Sequence, residues 1–149
     1  MSRILIVDDE QPNVMLLEAI LSSPAAQILS LTDSRQVERT FTEFEPDIVL
    51  LDLHMPKPDG IEVLRRIAEV RARRGFVPVV VLTADTRSVA RKGALLLGAD
   101  DFLIKPLDRD EVQLRVRNLL HTRELYVELA EAYRALEKRV TGTRRGIAS

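Results

Sequence analysis

The feature that most constrains the fold is a set of short apolar runs, each the length of a β-strand and each followed by polar residues. Residues 3–7 (RILIV), 47–51 (DIVLL) and 77–82 (VPVVVL) are apolar almost throughout, which predicts strands buried on both faces. Residues 27–32 (QILSLT) alternate between polar and apolar, as expected of an edge strand, and residues 102–104 form a short final run. We therefore predict five strands.

The segments between these runs carry helical spacing and residues typical of helix boundaries. The predicted helices begin near Pro12, Asp33 or Ser34, Asp59, Ser88, and Asp108 or Asp110. The fourth should end at Gly98, because glycine readily adopts the left-handed conformation of a helix C-terminus. Strands that alternate with helices are typical of an α/β domain with a parallel sheet. The doubly wound order 2-1-3-4-5 fits best, since it places the alternating and the short strands at the edges.

Composition excludes several classes of protein. Of the 149 residues, 46% are apolar and 30% are charged, an ordinary globular mixture with room for one domain and an appendage. The net charge of −1 gives no reason to expect nucleic acid or an anionic membrane as a partner. The absence of cysteine excludes disulfides, zinc–thiolate sites and thiol catalysis. Without a signal peptide or an apolar run near the roughly 20 residues of a membrane span, we expect a soluble, cytoplasmic protein.

Residues capable of chemistry follow four of the five predicted strands. After the first, third, fourth and fifth strands come Asp8 and Asp9, Asp52, Thr83 and Ala84, and Lys105. In open parallel sheets, ligands bind beyond the carboxyl ends of the strands. Because strands one and three are neighbours in the predicted order, the three carboxylates should lie close together and repel each other. Mg²⁺ would relieve their repulsion and leave positions open for a phosphoryl oxygen. The set therefore predicts a phosphoryl-transfer site with a carboxylate nucleophile.

Each of these residues also has a purely structural interpretation. Residues 8–10 (DDE) could form a strand-to-helix turn, and Asp52 could cap the loop that follows it. Thr83 could be a helix N-cap, and Lys105 an ordinary loop lysine. Their joint occurrence at four strand ends favours the functional interpretation.

At this point the sequence resembles the receiver domain of two-component response regulators, the CheY-like superfamily. The motifs that carry the resemblance are ILIVDDE (4–10), LLDLHMPKPDG (50–60), VLTAD (81–85) and GADDFLIKP (98–106). It covers residues 1–120, and the spacing between the motifs fits throughout. The resemblance implies a flavodoxin-like fold and a signalling module with self-phosphorylation and autodephosphorylation chemistry, without turnover of a separate substrate.

The resemblance assigns the phosphoacceptor and its metal. Asp52 would take a phosphoryl group from a histidine kinase, from a phosphotransfer protein, or from a small donor such as acetyl phosphate. Asp9, Asp52 and the backbone carbonyl of His54 would ligate Mg²⁺, and Asp8 would assist through water. The side chains of His54 and Asp85 would flank the site at positions that tune dephosphorylation in the family.

The resemblance also implies how the modification is read. Lys105 would neutralise charge on the phosphoryl oxygens, while the Thr83 hydroxyl and the Ala84 N–H would donate hydrogen bonds to them. Thr83 moving inward would leave space for Phe102, which occupies the family's aromatic switch position. The bond between Lys105 and Pro106 would be cis.

The C-terminal helix should continue well beyond residue 120, since residues 110–140 contain no proline or glycine. Apolar and aromatic residues recur there at alternating spacings of three and four, which predicts a coiled-coil seam. The seam consists of Leu119, Thr122, Tyr126, Leu129, Tyr133, Leu136 and Val140. We predict a dimerising helical extension over residues 121–140 and a disordered tail over residues 141–149. The alternative is a solvated helix folded back on its own domain.

A second dimer surface is suggested by charged residues that some receivers pair across a two-fold axis. The matching residues are Arg91, Asp101, Glu111 and Arg115. Leu97 and Asn118 depart from that pattern, and surface ion pairs are individually weak.

The output of the signal is the least constrained function. No helix-turn-helix or glycine-rich phosphate loop follows residue 120, so we expect no DNA-binding element within this chain. The protein could act alone by docking or dimerising, or it could be the receiver of a longer regulator whose helix leads to an effector domain. A haloacid-dehalogenase-type phosphatase is a further alternative, but it would need an aspartate where this chain has His54.

Overall fold

The computed structural model contains one five-stranded parallel sheet in the order β2-β1-β3-β4-β5, which confirms the predicted architecture. It describes residues 1–148, with side-chain surroundings for residues 1–87 and 91–142. The strands are β1 Ser2–Val7, β2 Ala26–Leu31, β3 Ile48–Asp52, β4 Val79–Thr83 and β5 Asp101–Ile104.

Helices connect the strands as expected of a doubly wound fold. They are α1 Gln11–Leu21, a 3₁₀ turn Ser34–Gln36 leading into α2 Val37–Phe44, α3 Gly60–Arg73, α4 Ser88–Leu96 and α5 Arg109–Ala148. Asp59 caps α3 as predicted, because its carboxylate accepts a hydrogen bond from the Glu62 N–H at 2.9 Å. Of the two predicted starts of α5, Asp108 is the residue whose carboxylate accepts from the Glu111 N–H. Among the described residues, no helix is long and apolar enough to cross a membrane.

Apolar side chains cover both faces of the sheet, which explains why the central strands are apolar throughout. One face packs against α2, α3 and α4, with Phe41 and Leu64 fully buried. The other packs against α1 and the first part of α5, where Leu17 and Val112 are fully buried. Every residue of β3 and β4 is buried, including the two polar residues at their carboxyl ends.

Helix α5 is the element that departs most from a minimal domain. Its 40 residues correspond to a length of about 60 Å, and no break occurs at residue 120. Residues 131–142 are all exposed, so this part of the helix does not fold back on its own domain. The helix continues through residues 141–148, where we predicted disorder. Glycine weakens a helix by about 1 kcal/mol without ending it. Ser149 lies outside the described residues.

Candidate functional site

Three carboxylates meet at the carboxyl edge of the sheet. Asp52 is the last residue of β3, and Asp8 and Asp9 follow β1 directly. The two strands pair in parallel with Val7 opposite Leu51, so both deliver their acids at the same height. One carboxylate oxygen from each of the three acids lies within 4.8 Å of the others. The carboxylates therefore gather as the sequence predicted, and Asp8 and Asp52 are buried.

Lys105 provides the opposing charge. It follows β5, and its Nζ lies 3.0 Å from Asp8 Oδ2 and 3.3 Å from Asp52 Oδ2. Burial alone would lower the pKa of Lys105, but hydrogen bonds and charge from the two aspartates raise it above its ordinary value. Its bond to Pro106 is cis, as the resemblance implies, and the Lys57–Pro58 bond is cis as well. Lys105 is therefore a charged lysine held directly against the predicted nucleophile.

One lysine cannot neutralise three acids. The pKa of Asp52 and the hydrogen bonding of Asp9 are both consistent with an excess of negative charge. Burial, followed by the charge of Asp8, raises the pKa of Asp52 to about 6, against the opposing effects of the His54 N–H and of Lys105. Asp9 Oδ1 is buried and has no hydrogen-bond partner among the described residues. Unsatisfied carboxylate oxygens in this arrangement fit a hard divalent cation, so the cluster is consistent with a Mg²⁺ site.

The structural interpretation of the acids is correct only in part. Asp8 Oδ1 accepts a hydrogen bond from the Glu10 N–H at 2.9 Å, so Asp8 does support the turn after β1. Asp52 Oδ1 likewise accepts from the His54 N–H at 3.1 Å. The other oxygen of each carboxylate lies near Lys105, which a turn does not require. The His54 side chain is exposed, and the metal-ligand role of its carbonyl stays a prediction.

Thr83 ends β4 at the same edge and is completely buried. Its hydroxyl accepts a hydrogen bond from the Asp85 N–H at 2.9 Å. Thr83 is not the N-cap of α4, because that helix begins at Ser88 and Arg87 occupies the cap position. Ala84 follows with an exposed side chain.

Phe102 lies on β5, opposite Val81 of β4. Its side chain is partly buried and packs against the core cluster shared by α2, α3 and α4. The guanidinium carbon of Arg91 lies 5.9 Å from the centroid of the ring, within the range of a cation–π contact. The predicted switch residue therefore lies between the core and α4.

The predicted charges of the second dimer surface pair largely within one chain. Arg115 Nη1 lies 2.7 Å from Asp101 Oδ2, and Arg115 Nε lies 3.2 Å from Glu111 Oε1. The first bond fastens α5 to β5 and the second lies within α5, and neither gives evidence for a contact between two subunits.

The sequence did not predict the roles of two residues that shape the loop after Asp52. A Cβ on Gly60 would lie 2.4 Å from the carbonyl oxygen of Asp52, so only glycine fits there. The Ser34 hydroxyl donates a hydrogen bond to the Pro58 carbonyl at 2.6 Å and so ties this loop to the 3₁₀ turn. The prolines and glycine signalled a loop, but these contacts depend on tertiary structure.

Comparison with known proteins gives the family. The model of the response regulator receiver domain matches residues 4–117. The chain belongs to the response regulator receiver family. The match confirms the resemblance stated from the sequence. The acidic cluster at the sheet edge is consistent with the receiver domain of a two-component response regulator. A histidine kinase is the partner that such a domain implies.

Individual relatives of the receiver are longer than this chain. It is 33% identical over 129 residues to the alkaline phosphatase synthesis transcriptional regulatory protein PhoP of Bacillus subtilis, with 87% of this chain and 52% of that protein covered. It is 33% identical over 135 residues to the regulatory protein AtoC of Escherichia coli, with 91% and 29% covered. The structure of NtrX from Brucella abortus matches with a TM-score of 0.77 and 27% identity, covering 89% of this chain and 30% of that one. The chain thus spans about half or less of the length of these proteins.

Proposed function

We propose that Asp52 is the phosphoacceptor of this receiver and that its modification switches the domain between two conformations. The observation that carries the proposal is the position of Lys105 Nζ, 3.0 Å from Asp8 and 3.3 Å from Asp52, within a cluster that holds more acids than cations. An acid excess at a buried strand end stores unfavourable electrostatic energy. A site of this kind is suited to bind a cation and, with it, a phosphoryl group.

In the transfer, a carboxylate oxygen of Asp52 forms a bond to the phosphorus of the donor. With a phosphohistidine donor, the bond between phosphorus and imidazole nitrogen breaks, and its electron pair returns to the imidazole, which takes up a proton. The product is an acyl phosphate on Asp52, which attack by water hydrolyses to phosphate and the free carboxylate. Asp9, Asp52 and the His54 carbonyl, with Asp8 assisting through water, would hold Mg²⁺, which would supply positive charge for the phosphoryl oxygens.

The remaining residues of the site stabilise the modified state. Lys105 exchanges its contact with the Asp52 carboxylate for one with a phosphoryl oxygen, and the Ala84 N–H donates a second hydrogen bond. The Thr83 hydroxyl already accepts from the Asp85 N–H, so its own hydrogen is available to the phosphoryl group. Hydrogen bonds to charged groups contribute about 1.5–3 kcal/mol each, enough to shift a two-state equilibrium. Phe102 then moves into the space that Thr83 vacates.

For the output of the switch we propose only its general kind. The relatives named above include a transcriptional regulatory protein and a regulatory protein, and both are longer than this chain. We propose that the receiver acts by dimerising or by docking a partner, and that in a longer protein α5 would lead to an effector domain.

Acetyl phosphate and intact-mass spectrometry test the phosphoacceptor. The wild-type chain should gain the mass of one phosphoryl group in the presence of Mg²⁺, and Asp52→Asn should gain none. Asp110→Asn is the matched control, since Asp110 is exposed on α5, and it should label like the wild type. Labelling of Asp52→Asn at the wild-type rate would overturn the assignment. Hydrolysis of many equivalents of a phosphate monoester, which lacks the activated bond of acetyl phosphate, would instead indicate a phosphatase.

A further inference from the structure

The ring of Phe102, the predicted switch residue, lies on the same face of the sheet as Thr83. Phe102 pairs with Val81 of β4, and Thr83 follows Val81 by two residues. Residues paired across parallel strands point to the same face, and so do residues two apart along one strand. Phe102 packs against the core cluster that contains Val81. The neighbourhood of Thr83 is therefore the next position along this face, toward the carboxyl edge, that the ring can reach.

The ring also contacts Arg91, a residue of α4. The guanidinium carbon of Arg91 lies 5.9 Å from the centroid of the Phe102 ring, at the outer limit of a cation–π contact. Arg91 Nε is buried and has no hydrogen-bond partner among the described residues. Within the same part of the chain no carboxylate forms an ion pair with Arg91. The sequence matched this arginine to the charges of a dimer surface, whereas the structure places it beside the switch residue.

The aromatic ring compensates Arg91 for the absence of a hydrogen bond. A buried polar group without a partner is unfavourable, and more so when it carries a charge. The negative face of an aromatic ring attracts a cation and offsets part of this cost. Movement of the Phe102 ring toward Thr83 would remove the attraction, so Arg91 stabilises the ring where it lies in this structure.

We propose that Arg91 is a positioning residue of the switch. It favours the position of Phe102 seen here, where Asp52 is unmodified, and thereby opposes the second conformation. A phosphoryl group must overcome the free energy of this contact before the ring moves, so Arg91 sets how large a fraction of the modified protein is switched. The inference rests on the proposed function, because it concerns how the modification of Asp52 is read.

The sign of the effect separates this role from simple electrostatics. Removing a positive charge from α4 lowers the electrostatic attraction for an anion at Asp52 and should weaken its binding. Releasing Phe102 should instead tighten the binding of an anion that favours the switched conformation. Lys92 is the matched control, because it is the next residue along α4 and carries the same charge on an exposed side chain.

Beryllofluoride, a mimic of the phosphoryl group, tests the proposal on the full chain in the presence of Mg²⁺. Fluorine NMR titrations give its dissociation constant. Arg91→Met keeps an apolar stem without the charge and should bind the mimic about threefold to tenfold more tightly than the wild type, as expected from the loss of one cation–π contact. Arg91→Lys keeps the charge and should lie closer to the wild type. Lys92→Met should bind no more tightly than the wild type.

A double-mutant cycle with Phe102→Leu tests whether Arg91 acts through the ring. In the absence of the ring, Arg91→Met should change the dissociation constant by less than about twofold, because the contact is already lost. An undiminished effect of Arg91→Met in the Phe102→Leu background would overturn the proposal, since Arg91 would then act by another route.

NMR of ring-labelled phenylalanine reports the position of the ring without any phosphoryl chemistry. The chain has four phenylalanines, and Phe102→Leu identifies the signal of Phe102. In the unmodified protein, Arg91→Met should shift this signal toward its position in the wild type saturated with beryllofluoride, and Lys92→Met should leave it in place. The other three signals verify that each variant is folded. A Phe102 signal that Arg91→Met leaves unmoved would contradict the positioning role.

Failure of this inference and failure of the proposed function give different results. If the wild type does not bind beryllofluoride, or if Asp52→Asn binds it equally well, the assignment of Asp52 is wrong and the role of Arg91 falls with it. If the wild type binds the mimic at Asp52 but Arg91→Met binds it no more tightly than Lys92→Met, the phosphoacceptor stands and the positioning role is excluded.

Discussion

The two edges of the sheet both bring charged residues together, but they balance them differently. At the carboxyl edge Asp8, Asp9 and Asp52 lie together, and Lys105 contacts Asp8 and Asp52. Asp9 Oδ1 has no hydrogen-bond partner among the described residues. Burial, followed by the charge of Asp8, raises the pKa of Asp52 to about 6. Such an excess costs folding free energy, so it is explained by the cation and the phosphoryl group that the site is proposed to receive.

At the amino edge the acid Asp47 has a partner for each of its carboxylate oxygens. Asp47 Oδ2 accepts a hydrogen bond from the Arg3 N–H at 2.8 Å, and its Oδ1 lies 3.0 Å from Arg123 Nε. Arg123 also donates to the Phe76 carbonyl, and so joins α5 to the segments before β3 and β4. The amino edge, where both oxygens of Asp47 have partners, stabilises the fold, whereas the carboxyl edge is suited to chemistry. Removing a charge should therefore have opposite kinds of consequence at the two edges.

The largest expected difference concerns the rate of phosphorylation. Lys105→Ala should slow labelling by acetyl phosphate by about 100-fold or more, because it removes a preorganised positive charge from the transferring group. Arg123→Ala should leave the rate unchanged under conditions where the variant is folded. Intact-mass measurements over time give both rates. Equal slowing by the two substitutions would remove the functional distinction between the edges.

A smaller effect is expected on the free energy of unfolding, and here the amino edge should be the sensitive one. Arg123→Ala should destabilise the protein by about 2 kcal/mol, since it leaves Asp47 and the Phe76 carbonyl partly buried without their partner. Arg117→Ala, an exposed position on α5, should change stability by less than about 0.5 kcal/mol. Urea titrations measure both variants. If Arg123→Ala resembled Arg117→Ala, the amino edge would not be the structural one.

At the carboxyl edge, removal of an acid should stabilise the protein when Mg²⁺ is absent. Because the pKa of Asp52 is raised to about 6 in the folded state, from an ordinary value near 4, its contribution is most favourable below about pH 4 and is lost as the pH rises through about 6. Asp52→Asn lacks this loss and should be more stable than the wild type by about 1–3 kcal/mol at neutral pH in EDTA. The advantage should shrink as the pH falls toward 4. Asp47→Asn, at the opposite edge, should be destabilised instead, and the same sign for both variants would contradict the comparison.

The smallest effect concerns the metal itself. Mg²⁺ at ten times its dissociation constant should stabilise the wild type by about 1.4 kcal/mol, because it binds the folded state. Asp9→Asn should lose most of this stabilisation, whereas Asp110→Asn should keep it. Thermal unfolding with and without Mg²⁺ measures the difference. An equal shift for all three proteins would show that the ion acts elsewhere.

The carboxyl edge could be predicted from the sequence because its geometry follows from parallel strands. Once residues 3–7 and 47–51 are assigned as neighbouring strands, Asp8 and Asp52 must end at the same height, and the structure confirms this. The first residues of the strands were predicted less accurately. Residue 77 was predicted to begin the fourth strand, but β4 begins at Val79, whose N–H donates to Asp100 Oδ2.

The amino edge could not be predicted because its contacts join distant parts of the chain. Nothing in a local pattern indicates that Arg123 pairs with Asp47, 76 residues away. The heptad spacing likewise predicted one continuous seam, and it did not reveal that Leu119 and Tyr126 pack within the monomer. Periodicity identifies the apolar face of a helix but does not identify what covers it.

The most direct test of the account is to locate the phosphoryl group chemically. Borohydride reduces an aspartyl phosphate to homoserine, and tryptic cleavage yields one peptide, residues 40–65, that contains Asp47, Asp52 and Asp59. Mass-spectrometric fragmentation of this peptide from the labelled, reduced wild type should place homoserine at residue 52 alone, with residues 47 and 59 as internal controls. Homoserine at either control residue, or labelled protein with an unmodified Asp52, would contradict the central claim.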